Sequence, residues 1–202
     1  MKRVLALAIC WTGILVIAGQ LAGISDAASV DGELQQWHKL TLTLDGPQAS
    51  EDGDPNPFLD YRLQVTFRHA ETGLTYNVPG YFAADGDAAN TSATSGNKWR
   101  VHLSPNKAGK WTYSVSFREG PGVAISDDED AGSPVASVDG LRGSFEIAKT
   151  DKTGRDLRGR GRLDYVGKHH LQFAGTGEYF LKAGVDAPEN FLAYRDFDGE
   201  FK

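Results

Sequence analysis

From Trp111 to Arg118 the chain reads Trp-Thr-Tyr-Ser-Val-Ser-Phe-Arg, large apolar residues alternating with polar ones without a break. Successive side chains of an extended strand point to opposite faces, so this pattern buries one row and wets the other. On a helix the same apolar residues would be scattered around the axis. The period of two recurs at 40–44, with leucines on one face and threonines on the other. It returns at 61–68, at 99–103 and around Glu146, which Phe145 and Ile147 flank. Shorter candidates lie at 74–78, 163–166, 171–174 and 179–183. No amphipathic helical pattern precedes Ala187 in the part of the chain after its N-terminal apolar run. Strands with one apolar face must bury it against a second sheet, so the pattern predicts an all-β, two-sheet immunoglobulin-like β-sandwich.

Turn residues punctuate these runs at 45–47, 54–57, 72–73, 79–80 and 105–109. Two stretches read as surface loops: 85–97, rich in small and polar residues, and 119–141, which holds the acidic run Asp127-Asp128-Glu129-Asp130. The sandwich is expected over 34–148. Residues 149–162, with Arg alternating with Gly, read as a linker. Beyond it, residues 163–202 begin with a hairpin whose turn carries Gly175 and Gly177.

The N-terminus follows a separate logic. Met1-Lys2-Arg3 precedes an apolar run over 4–18, and small residues follow at 25–29. A basic tip, an apolar stretch and a small-residue site form the pattern of an export signal. Residues 1–28 are therefore expected to be a signal peptide cut after Ala27 or Ala28, which would make the protein secreted or periplasmic. The alternative is an uncleaved anchor, because 4–22 approaches the ~20 residues that span a bilayer. Gly19 and Gln20 interrupt its end, and after cleavage no membrane partner is expected. The one cysteine, Cys10, falls inside the apolar run, so a cleaved chain carries no thiol for a disulfide, a zinc site or nucleophilic attack. The formal net charge is −6. Without residues 1–28, which carry Lys2, Arg3 and Asp26, it becomes −7, 19 basic residues against 26 acidic. That balance argues against nucleic acid as a partner.

Several segments together resemble a known family. They are the strand 63–67 running into His69, then Val78-Pro79-Gly80-Tyr81-Phe82, Asp85-Gly86, Trp99-Arg100-Val101, and Pro105 followed by Gly109-Lys110-Trp111-Thr112-Tyr113. In this order they resemble the N-terminal sandwich, a domain of unknown function, that precedes apiosidase-like and related glycoside hydrolase barrels in secreted bacterial proteins. The tail is similar to the opening of that barrel. By this resemblance 175–180 is a hairpin, 181–186 the first barrel strand and 188–191 the following loop. A (β/α)8 barrel takes ~250 residues, so the sequence reaches only its threshold.

The resemblance implies a non-catalytic accessory sandwich whose partner is an adjoining glycosidase barrel or carbohydrate. The alternative is a free-standing carbohydrate- or surface-binding module. Glycoside hydrolysis needs two positioned carboxyl groups, and no catalytic residue is assigned in this chain. If a barrel were present, Asp186, Glu189 and Asn190 would stand at its mouth as substrate contacts. Tyr61, Trp99, Trp111 and Tyr113 alternate in phase with Val, Leu and Phe and belong to the core. Tyr81 and Phe82 follow Pro79-Gly80 outside that rhythm and are candidates for a sugar or interdomain contact. Asp52 with Asp54, the run at Asp127, and Asp85 with Asp87 and Asn90 are calcium leads, of which the last is best. None completes a calcium loop, the five histidines show no shared metal-ligand spacing, and neither metal nor cofactor is expected.

Overall fold

A computed structural model of the chain describes residues 28–182. Two antiparallel sheets face each other. The first has four strands in the order β1-β2-β6-β5: β1 (Ala28–Gly32), β2 (Leu40–Ser50), β6 (Ser95–Leu103) and β5 (Tyr81–Phe82). The second runs β4-β3-β7-β8: β4 (Thr75–Pro79), β3 (Tyr61–His69), β7 (Gly109–Glu119) and β8 (Ser133–Pro134). Its fifth strand, β9 (Arg142–Ile147), pairs with β7 along 109–114. This is the strand order of an immunoglobulin sandwich, four strands facing a three-strand sheet extended by β4.

Alternation decides what lies between the layers. Leu40, Leu42 and Leu44 of the first sheet and Leu63, Val65 and Phe67 of the second point inward and are buried. Trp99 packs across the interface, its ring centroid 5.2 Å from Tyr61 and 4.8 Å from Phe117. Trp111 is fully buried, stacked 6.0 Å from Tyr76 and 5.2 Å from His69. Tyr113 is only half-buried, because β9 places Gly143 opposite it and leaves the ring at the sheet's edge.

Three features depart from the expected boundaries. β1 lies ahead of residue 34 and pairs Ala28 with Leu44, so Ala28, assigned by sequence to the signal peptide, is part of the first sheet. The turn residues at 45–47 do not end their strand. They form an irregularity inside β2, where the ladder shifts between Asp45 and Ala49. The cause is Trp99, whose Nε1–H donates to the Pro47 carbonyl at 3.0 Å and whose ring lies where a Cβ of residue 46 would be. Only glycine fits there. The loop 85–97 contains the helical turn α1 (Ala88–Thr91) and the start of β6. The acidic loop 126–132 is fastened by Arg62, which donates to the carbonyls of Ser126, Asp128 and Glu129, and by Arg118, which donates to those of Asp130, Ala131 and Gly132.

The segment 149–162 is clasped onto the sandwich rather than standing free. Glu33 receives Lys152 Nζ and an Arg158 guanidinium nitrogen, each at 2.9 Å. His38 is buried below them, its Nε2 3.2 Å from the Thr150 hydroxyl. Its Nδ1 is 3.3 Å from Glu33 but is not aligned for a hydrogen bond. Next come β10 (Leu163–Asp164) and β11 (Gln172–Phe173), paired antiparallel. The expected hairpin is present. Gln172 bridges Tyr179, the Phe173 N–H donates to Glu178, and the turn closes at Gly177. His169 and His170 lie outside these strands.

Candidate functional site

Tyr81 and Phe82 form β5, which pairs with β6 opposite Arg100 and Trp99. Two extended residues place their side chains on opposite faces, and this separates the pair chemically. Tyr81 is 46% exposed, and its hydroxyl meets His102 Nε2 at 2.9 Å. His102 Nδ1 in turn meets the Thr41 hydroxyl at 3.0 Å. Burial, then the nearby Lys39 and Arg100 charges, hold His102 below the usual imidazole range. A neutral ring with one donor and one acceptor suits this Thr–His–Tyr chain. Phe82 is 7% exposed, covered by Trp99 at 5.1 Å and Phe58 at 6.5 Å between ring centroids. It packs as part of the core. β5, at two residues, is too short to show this alternation in the sequence. His102 was legible only as an outward-facing position of β6.

At the Asp85 lead the carboxylates are engaged in turn contacts. Asp85 accepts from the Thr91 hydroxyl and the Asp87 backbone N–H, each at 2.7 Å, and Asp87 accepts from the Asn90 amide at 2.8 Å. These contacts, the Thr91 hydroxyl foremost, hold the Asp85 carboxyl below its ordinary range. Among the described residues no group of three potential metal ligands converges. Asp186, Glu189 and Asn190 lie outside the described residues.

The surface that stands out is on the C-terminal extension. Its base is polar and well anchored. Asp156 receives Arg158, which lowers its pKa to about 2, and Arg162 pairs with Asp164 at 2.7 Å. Arg160 lies over the Phe173 ring, 5.6 Å from its centroid. Gly161 is buried against the Trp37 indole and the backbone of Gly175, a contact that leaves no room for a side chain. Phe173 and Phe180 pack edge to face inside the extension, 5.7 Å apart. Its remaining apolar side chains face outward. Leu157, Leu163, Tyr165, Leu171, Tyr179 and Leu181 are all exposed, Tyr165 at 76% and Leu181 at 69%. On the two main sheets Tyr81 alone among the described strand aromatics is exposed to a comparable degree.

The profile of a family described as "Domain of unknown function (DUF5060)" matches residues 33–118 of this chain. A crystal structure from Bacteroides vulgatus ATCC 8482, described as "a putative glycoside hydrolase", is similar over 72% of this chain at 22% identity, with a TM-score of 0.46. The match covers 20% of that protein's chain, so the present chain spans about a fifth of its length. No curated protein matches.

Proposed function

We propose that this chain supplies a non-catalytic accessory β-sandwich to a secreted glycoside-hydrolase-like protein acting on polysaccharide, and that residues 157–181 form the surface on which the hydrolase module docks. The observation that carries this reading is the exposure of Leu157, Leu163, Tyr165, Leu171, Tyr179 and Leu181 within the one short segment 157–181. A two-stranded hairpin is marginal by itself in water, and soluble proteins rarely leave large apolar patches uncovered. Such a surface gains most when another body covers it.

The resemblance of 175–191 to the opening of an apiosidase-like barrel supports such a barrel as that body. Asp186, Glu189 and Asn190 would then meet substrate at the barrel mouth, and export directed by 1–28 would bring the assembly to its polysaccharide. A free-standing stacking module is less well supported, because a sugar platform of that kind needs several exposed rings on one sheet face.

Two measurements test the reading. The apolar dye ANS should fluoresce on the native chain and lose most of that signal when Leu163, Tyr165 and Leu181 are replaced together by serine. A native chain that leaves the dye dark contradicts the docking surface. The purified chain should release no aglycone from a panel of aryl glycosides, and turnover that survives purification contradicts a non-catalytic role.

A further inference from the structure

The seam between the sheets carries a second site, remote in role from the docking surface. β1 and β9 are edge strands of opposite sheets, and a groove of about 940 Å³ opens beside them and spreads onto the outer face of β3 and β7. Gly143 helps to open it. The residue lies across the ladder from Tyr113, and a side chain there would collide with the Tyr113 hydroxyl. That ring lines the groove half-buried, and its hydroxyl makes no hydrogen bond among the described residues.

Three cations stand around this space: Arg68, Lys110 and Arg142. Thr112 pairs with Arg68 on one side and Ser144 on the other, and Ser114 pairs with Arg142, so the wall between the charges is hydroxyl-rich. Strand spacing and rise put the three Cα positions roughly 8–14 Å apart. This spread suits successive charges along a chain better than one small anion. None of the three makes an ion pair among the described residues, and none of the groove's lining residues is acidic. By contrast, Arg62 and Arg118, also on the outer face of this sheet, are engaged by loop carbonyls. A chain of net charge −6 therefore keeps one groove positive.

We propose that this groove binds an anionic polysaccharide, whose carboxylate or sulfate groups are held by Arg68, Lys110 and Arg142 while a sugar face lies against Tyr113. Charge-assisted hydrogen bonds supply the recognition, and the half-buried Val30 and Leu141 beside Tyr113 accept the C–H face of a ring. Duplex nucleic acid fits less well. It carries one charge per ~1.7 Å of axis, a density that three cations on an acidic protein do not neutralise. The proposal does not depend on the docking surface, because none of its residues lies in 157–181.

Affinity electrophoresis of the intact chain through gels containing polygalacturonate, a sulfated galactan or a neutral galactan tests it. Retardation by an anionic polymer, relieved by salt, and free migration through the neutral one are expected. Retention on polygalacturonate alone assigns carboxylate, on the sulfated polymer alone assigns sulfate, and on both supports the shared chemistry. Arg68→Ala combined with Arg142→Ala should weaken binding about tenfold or more at unchanged melting temperature. Lys110→Ser is a second, independent variant with the same direction of effect. Equal retardation by neutral galactan overturns the proposal, as does free migration through both anionic gels. So do wild-type binding by the variants and equally tight binding of a single-stranded oligonucleotide.

Discussion

Replacing Trp111 by alanine removes a side chain with no solvent exposure from near the start of β7. Its ring lies nearly parallel to Tyr76 (11° between planes, 6.0 Å between centroids) and tilted against His69 at 5.2 Å. Its Nε1–H donates to the Lys107 carbonyl at 3.0 Å. Three losses follow, and they are unequal. The transfer and cavity cost of Trp→Ala is about 3–5 kcal/mol. The aromatic contacts with Tyr76 and His69 account for about 1 kcal/mol of geometry-specific energy, partly counted already. The orphaned carbonyl costs less than a buried one would, because Lys107 is exposed and water can replace the indole. The cavity dominates, and a total near 4–5 kcal/mol approaches the whole stability of a small domain, about 5–15 kcal/mol. At roughly 2–4 °C per kcal/mol for a domain of this size, the melting temperature should fall by about 10–20 °C. Urea unfolding followed by far-UV circular dichroism reads the loss, and Trp111→Phe, which keeps a ring between Tyr76 and His69, should recover about half of it. A Trp111→Ala chain within about 1 kcal/mol of the parent would refute the inward assignment of β7's odd-numbered residues.

Other perturbations separate the remaining claims. Phe82→Ala should cost about 3 kcal/mol or more as a buried aromatic, whereas Tyr81→Ala should stay within about 1 kcal/mol in urea unfolding; equal effects would contradict their opposite facing. Gly96→Ala drives a Cβ into the backbone of Ala84 and Asp85, so thermal melting should show a loss of several kcal/mol, and a neutral result would mean that contact is not formed. Asp60 is held below the ordinary carboxyl range by the backbone N–H groups of Gly122 and Asn56, and Asp156 at about 2 by Arg158. Carboxyls depressed in the folded state stabilise it above their unfolded pKa, near 4, and lose that contribution as pH falls through the folded value. Melting temperature should therefore be level at higher pH and decline from about pH 4 towards 2, less steeply in Asp60→Asn; a rise on acidification in that window would contradict the assignment.

The long strands were legible because contrast repeats in them: four or more alternations leave one solution for which face is buried. Short or weakly apolar strands were not. β1 reads Ala-Ser-Val-Asp-Gly, an edge strand with one large apolar side chain, and β8 is Ser-Pro. Turn chemistry at Asp45-Gly46-Pro47 reads as punctuation between strands, and only the Trp99 indole shows why the strand continues through it. The cations of the groove were visible as outward residues. Their availability was not, because whether an outward Arg is engaged depends on distant partners, as when Arg62 meets a loop more than 60 residues away in sequence. The apparent linker conceals the clasp of Glu33 with Lys152 and Arg158, a contact between segments distant in sequence that no local pattern encodes.

The accessory-domain account is tested most directly by the nucleotide sequence of the coding region downstream of codon 202. It predicts an open frame continuing through alternating strand and helix segments to a barrel of ~250 residues, with carboxylates at the C-terminal ends of its strands. A stop codon immediately after Lys202 would contradict it and leave the apolar surface of 157–181 without the partner proposed for it.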